Sequence, residues 1–211
     1  MSKPDLMPLA EEERADLLAL LQELTPAQWD APSLCDEWRV RDVATHVVSY
    51  DELSKAATVA TFLRGGLRTG RVNDVALARY SDLDPDGILD LVARNQHPRG
   101  LPSGFEGGIA LTDGTIHHQD IRRALGLSRT IPAHRLVPVL TFSLGAPTLP
   151  SKGNAKGLRL VATDVDWTAG DGPQVTGPGE ALLMAAAGRI QALGDLRGDG
   201  LPTLQKRVRQ R

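Results

Sequence analysis

The chain has a single cysteine, Cys35, among its 211 residues, so it can form neither an internal disulfide nor a multi-cysteine zinc site. A reducing, cytoplasmic setting is the expectation. Charge of one sign is missing as well: 24 Lys and Arg stand against 26 Asp and Glu, a net charge of -2. Such a balance supplies no broad footprint for nucleic acid or an anionic membrane. The longest strongly apolar run, 181–187, falls far short of the roughly 20 residues that span a bilayer. At the N-terminus, MSKPDLMPLAEEERADLL places acids where a signal peptide needs an apolar core, so export by that route is not expected. Also missing are G-x-G-x-x-G, a Walker loop and G-x-S-x-G, the common nucleotide-binding and acyl-transfer signatures. Glycine is plentiful at 21 residues, yet AGDGPQVTGPG reads as a set of tight turns rather than a phosphate cradle.

What is present is enough apolar material, 41% of the chain, to fold alone as one large domain or a domain with a small companion. Leu9, Leu17, Leu20, Leu21 and Leu24 recur at helical spacing opposite Glu11, Glu12, Glu13 and Arg14, predicting an amphipathic helix over 8–24. Thr25-Pro26 then restarts a short turn carrying Trp29. After Pro32-Ser33, the stripe Val40, Val43, Val47, Tyr50, Ser54 predicts one long helix from Arg41 to Leu63, stopped by Gly65-Gly66. Asp84-Pro85 caps a further helix through Asn95, and Ile109, Ile116, Ile121 and Leu125 mark another that Gly126 ends. Gly107, Gly108 and Gly114 weaken that last helix by about 1 kcal/mol each if they lie within it. Pro132 opens one more apolar segment, ending at Gly145. Beyond it, GLRLVATDVDWTAGDGPQVTG alternates like two or three short strands, and ALLMAAAGRIQAL is a good helix former. The expectation is a mainly α protein: a helical bundle over residues 1–147 followed by a small α/β domain over residues 148–211.

Chemistry-bearing residues concentrate in two places. His46 sits mid-helix among Val43, Val47 and Tyr50, facing the apolar stripe. Alone it reads as a core histidine satisfied by a carbonyl or carboxylate. In Asp113-Gly-Thr-Ile-His117, a carboxylate and an imidazole four apart share one helical face, which could equally be an ordinary surface pair. Taken together, the two imidazoles and one carboxylate form the ligand inventory of a catalytic zinc with an open position, and equally of a non-haem iron triad. His118 points about 100° round the helix from His117 and is expected in an outer shell or on the surface. His97 and His134, beside Pro98 and Pro132, are expected in water. Cys35 lacks an evident activating neighbour and is expected to be a small buried apolar group.

The blocks AQWDAPSLCDEWRVRDVATHV, TIHHQDIRRALG and ATDVDWTAGDGPQVTGPGEALLMAAAGR, in that order over residues 27–189, resemble the mycothiol-dependent maleylpyruvate isomerase family, a branch of the DinB-like metalloprotein superfamily. Two motifs carry the resemblance: W-x-x-P-S-x-C-x-x-W-x-V-x-D-V-x-x-H and H-x-x-D-I-R-R. It implies a DinB-like four-helix bundle that holds a divalent metal, usually zinc, with a small α/β domain behind it. It also implies His46, Asp113 and His117 as metal ligands. The family usually has glutamate where this chain has Asp113, and the shorter arm withdraws the carboxylate by one methylene. The chemistry implied is that of a mycothiol-dependent S-transferase or isomerase, in which mycothiol, a low-molecular-weight thiol cosubstrate, attacks a small electrophile. Since the family's isomerase substrate is a dicarboxylate, Arg189 is the candidate to grip a carboxylate through its planar fork; a helix-end arginine in solvent is the other reading. A divalent-metal-binding protein with a binding or regulatory role and no catalysis remains the alternative function. Neither nucleic acid nor a membrane is expected as a partner.

Overall fold

The computed structural model describes residues 4–66 and 69–210. It divides into two compact units, the first ending at Ser128 and the second beginning at Arg129. The first contains α1 (Met7–Gln22), α2 (Pro26–Trp29), α3 (Val40–Val48), α4 (Lys55–Arg64), α5 (Thr69–Leu77), α6 (Pro85–Arg94) and α7 (Gly108–Ala124). Helices α1 and α3 each pack against both α6 and α7, which makes the four-helix bundle. Its core is built by Leu17, Leu21, Val40, Val43, Val47, Leu91 and Ile121, with Trp29 of α2 closing one end.

The helix ends follow local chemistry. Asp84 caps α6 by accepting from the Gly87 amide at 2.9 Å, and Asp42 reaches back to the Arg39 amide at 2.9 Å to start α3. Helix α7 begins only after Gly107, whose φ of +83° is left-handed and suits glycine. A Cβ there would lie 2.8 Å from the Met7 backbone, so the start of α1 presses directly on this turn. Two of the three glycines that weaken the helix by sequence thus sit at or before its first residue.

The predicted long helix from Arg41 to Leu63 is corrected. It breaks after Val48, and Ser54 caps a separate α4 by accepting from the Ala57 amide at 3.2 Å. The intervening turn directs the Asp51 carboxylate inward to Arg14, with Nη1–Oδ1 2.8 Å and Nη2–Oδ2 2.9 Å. A tertiary ion pair therefore overrides a helical stripe that continues through Tyr50 and Ser54.

The second unit holds α8 (Ala133–Ser143), α9 (Ser151–Ala155), β1 (Arg159–Ala162), β2 (Thr168–Ala169), β3 (Gln174–Gly177), α10 (Gly179–Ala186) and α11 (Leu201–Arg209). The sheet order is β2-β1-β3, with β1 antiparallel to β2 and parallel to β3. Helix α10 is its centre: 181–186 are all buried, and it packs on α8, β1 and β3. The division thus falls before α8, earlier than the 147/148 boundary expected from sequence. The reason is that the apolar face of α8, Leu136 and Leu140, lies against Gly179 at the head of α10. No helix among the described residues is long and apolar enough to cross a membrane.

Candidate metal centre

His46 comes from α3, and Asp113 and His117 come from α7, one turn apart. The apolar neighbours of His46 dictate that its face of α3 turns inward, where α7 packs against it. The structure brings the three together: one ligand atom from each lies within 4.8 Å of the others. His46 Nε2 is 3.7 Å from Asp113 Oδ2, and His117 Nε2 is 3.5 Å from Asp113 Oδ1. Both imidazoles are largely buried, whereas the Asp113 side chain keeps 39% of its exposure. The carboxylate edge of the triangle is therefore its wet side.

The donor set fits a divalent cation. Two imidazole nitrogens and a carboxylate oxygen suit a borderline ion such as zinc and leave a position free for an incoming ligand. Among the described residues His46 Nδ1 is buried without a hydrogen-bond partner, so the polar contact of the ring is made through Nε2, on the cluster side, to Asp113. His117, by contrast, is oriented from behind, with Nδ1 3.0 Å from Oδ2 of the buried Asp120. A carboxylate on the far nitrogen fixes the tautomer and points Nε2 at the cluster.

Charge in the triangle is tightly coupled. Burial alone would raise the Asp113 carboxyl, but the charge of His117 and hydrogen bonds from His117 and His46 outweigh it and hold Asp113 well below the usual carboxylate range. Burial likewise disfavours the His117 imidazolium, yet the Asp113 charge and hydrogen bonds to Asp113, Asp120 and Cys35 lift it well above 6.5. A cation needs the Nε2 lone pair that this proton occupies. Metal affinity is therefore expected to rise with pH until the raised His117 pKa is passed. Below that point it should fall by up to about tenfold per unit for the one displaced proton. The decline should begin above the ordinary histidine range, and a zinc titration repeated across pH 5–9 checks the sign; a flat profile would refute the coupling.

Aromatic side chains wall the triangle. Trp38 lies 4.9 Å from His46 and 6.3 Å from His117 between ring centroids, and Tyr50 meets His46 edge-on at 6.2 Å. The Tyr50 hydroxyl donates to Asn73 Oδ1 at 2.9 Å. Burial, with the Asp113 carboxylate nearby, pushes it up to about 12, so Tyr50 is a neutral phenol rather than a base. Trp38 and Cys35 are delivered by the loop between α2 and α3. That loop is pinned by the Pro32/Arg39 bridge, by Ser33 Oγ donating to the Trp38 carbonyl at 2.8 Å and by the Leu34 amide donating to the Asp120 carbonyl at 3.2 Å. Glu37 takes a left-handed φ of +67° to complete the turn.

Two sequence expectations are corrected here, for Cys35 and His118. Cys35 is half-buried rather than an apolar core group, and its Sγ lies 3.1 Å from Asp120 Oδ2 and 3.5 Å from His117 Nδ1. His118 is fully buried between Glu13, 2.9 Å from its Nδ1, and Arg122, whose Nε donates to its Nε2 at 2.8 Å; it braces α7 against α1. His97 is exposed as expected but is paired with Glu11. Asp120, Trp38 and Tyr50 escape a sequence reading aimed at metal ligands, although His117-x-x-Asp120 at i,i+3 was the available signal for the first.

Arg189 lies in the second unit, in the turn after α10, where its Nη1 donates to the Ala187 carbonyl at 3.0 Å. In that unit Trp167 is buried and donates from Nε1 to Thr141 Oγ1 at 3.1 Å.

Because Asp113 is the candidate ligand with the shorter arm, its substitutions are informative. Asp113→Glu should keep or tighten metal binding by restoring the missing methylene, while Asp113→Ala should weaken it by at least tenfold. Isothermal titration with zinc separates these outcomes, and parental binding in both variants would remove Asp113 from the site.

Residues 10–99 match the family model described as the mycothiol maleylpyruvate isomerase N-terminal domain. Among solved structures, the chain is similar to a mycothiol-dependent maleylpyruvate isomerase, with 19% identity, a TM-score of 0.57, and 90% of each chain covered. It is also similar to a histidine-to-alanine mutant of a mycothiol-dependent maleylpyruvate isomerase, at 17% identity and a TM-score of 0.59, covering 94% of this chain and 93% of that one. Both likenesses extend over the second unit and establish the fold. No curated protein sequence matches the chain.

Proposed function

We propose, on the match of residues 10–99 to the family model of the mycothiol maleylpyruvate isomerase N-terminal domain, that this protein is a zinc-dependent enzyme that uses mycothiol as cosubstrate on a small electrophile. The outcome is either isomerisation of a maleylpyruvate-like dicarboxylate or S-conjugation of another electrophile. The observation that carries the proposal is the convergence of His46, Asp113 and His117 within 4.8 Å beside a solvent-facing edge. A divalent cation held there would supply the Lewis acidity that keeps an incoming thiol deprotonated at neutral pH. This accounts for an active site without a nucleophilic cysteine of its own, since the thiol arrives with the cosubstrate.

The remaining work falls to the chain. His117, braced by Asp120, and His46, packed on Trp38, fix the ligand geometry before anything binds, which limits reorganisation during reaction. Trp38 and Tyr50 present an apolar wall that excludes water from one side. Tyr50, as a neutral phenol, takes no proton from the substrate. Arg189 recognises a substrate carboxylate through its bidentate fork, and the cytoplasm, being reducing, keeps the cosubstrate and Cys35 as thiols.

The test is zinc-loaded protein incubated with mycothiol and either maleylpyruvate or a neutral electrophile, with products followed by mass. Thiol-dependent turnover of either supports an enzyme. Absence of turnover, with stoichiometric zinc, would favour a metal-binding protein without catalysis. Arg189→Lys keeps the charge but loses the fork. It should raise KM for the dicarboxylate by about tenfold or more and leave the neutral electrophile unchanged; equal effects on both would make Arg189 structural.

A further inference from the structure

The His117 ring carries a second set of donors on its other edge. Cys35 Sγ, His117 Nδ1 and Asp120 Oδ2 form a triangle of 3.5, 3.0 and 3.1 Å. Tetrahedral coordination with metal–sulfur near 2.3 Å and metal–nitrogen near 2.0 Å separates S from N by about 3.5 Å and N from O by about 3.3 Å. The sulfur–nitrogen edge already has that length, and the two edges to the Asp120 oxygen, 3.0 and 3.1 Å, need to open by only about 0.3–0.4 Å. Asp120 is fully buried while Cys35 is half-buried, so the set is anchored on one side and open on the other.

We propose that Cys35, His117 and Asp120 form a second cation site, selective for thiophilic divalent ions, that competes with the His46, Asp113, His117 set for the shared imidazole. A thiolate, an imidazole and a carboxylate prefer a softer ion than the all-nitrogen-and-oxygen triangle does. Binding releases the thiol proton to water and shifts the imidazole hydrogen from Nδ1 to Nε2 through water, as the metal–sulfur, metal–nitrogen and metal–oxygen bonds form. The imidazole then carries its hydrogen on Nε2, where it faces Asp113 Oδ1 at 3.5 Å. With Nε2 protonated, His117 is lost to the first set, so the two sites exclude each other. A thiophilic ion at Cys35 is thereby an inhibitor of anything that needs a cation at His46 and Asp113.

The experiment is a titration of metal-free full-length protein with cadmium chloride, read as the ultraviolet thiolate-to-cadmium charge-transfer band. One equivalent should develop the band in the parent and in His46→Ala, because the second set does not use His46. Cys35→Ser should abolish it. Asp120→Asn, which keeps the shape but loses the charge, should weaken cadmium binding by about 10–100-fold. No band in the parent would overturn the proposal. A band surviving Asp120→Asn at unchanged affinity would do the same, since a cysteine acting alone would then explain it. Loss of the band in a His46→Ala chain that keeps its helical circular dichroism would also overturn it, by placing the thiol in the first set.

Discussion

Replacing His46 by alanine is expected to abolish most divalent-cation binding at the proposed centre. Three candidate ligands leave little redundancy. Removing one should cost more than the roughly 10–100-fold that follows loss of an outer-shell partner. On its far nitrogen the substitution is clean, because among the described residues His46 Nδ1 makes no hydrogen bond. What is lost besides the candidate ligand is the Nε2 contact with Asp113 at 3.7 Å and packing against Trp38, 4.9 Å away, a cavity cost of about 2–5 kcal/mol on the scale of large-to-alanine changes. Metal content by inductively coupled plasma analysis, alongside helical circular dichroism, distinguishes ligand loss from unfolding. Unchanged stoichiometry would remove His46 from the site, and with it the proposed function. Asp113→Ala offers the same test from a partly exposed position, where no comparable cavity opens.

The part of this site that the sequence makes legible is the part that obeys helical periodicity. His46 among Val43, Val47 and Tyr50 had to face the bundle, and Asp113 with His117 had to share a face of α7. The spacing thus picks out, without a structure, the three side chains that converge here. What it cannot carry is any pairing between residues distant in the chain. Asp120 and Cys35 are 85 positions apart, His118 and Glu13 are 105 apart, and Arg14 and Asp51 are 37 apart. Each of these contacts changes a local expectation. Cys35 becomes a polar neighbour of the site, His118 becomes a buried brace, and the Asp51 turn splits one expected helix into α3 and α4. The same logic governs the unit boundary, since α8 packs on α10 and falls in the second unit.

The Arg14–Asp51 pair should give the largest stability effect in the molecule. Both side chains are essentially inaccessible, at 1% and 0% exposure, and Arg14 also donates to the Val47 carbonyl at 3.3 Å and to the Asn95 carbonyl. The Arg99 amide donates to Asp51 Oδ1 at 2.8 Å, so the pair joins α1, the turn after α3 and the loop after α6. Its Coulombic attraction is nonetheless opposed by the cost of taking both charges out of water. Burial pushes the Asp51 carboxyl up, and Arg14 together with Arg99 offsets only part of that. A carboxyl whose folded pKa is raised contributes stability below its unfolded value and loses it as pH climbs through the folded one, so ionising Asp51 does not itself favour folding. Removing one partner is a different matter, because it leaves the other charge buried and uncompensated. Asp51→Ala is therefore expected to cost about 3–5 kcal/mol, whereas the double change Arg14→Met with Asp51→Leu should recover most of that loss or exceed the parent by about 1–4 kcal/mol. Urea midpoints of the parent and the two variants decide the matter. If Asp51→Ala lies within about 1 kcal/mol of the parent, Arg14 reaches water once its partner is gone, and the pair is not sealed in the bundle.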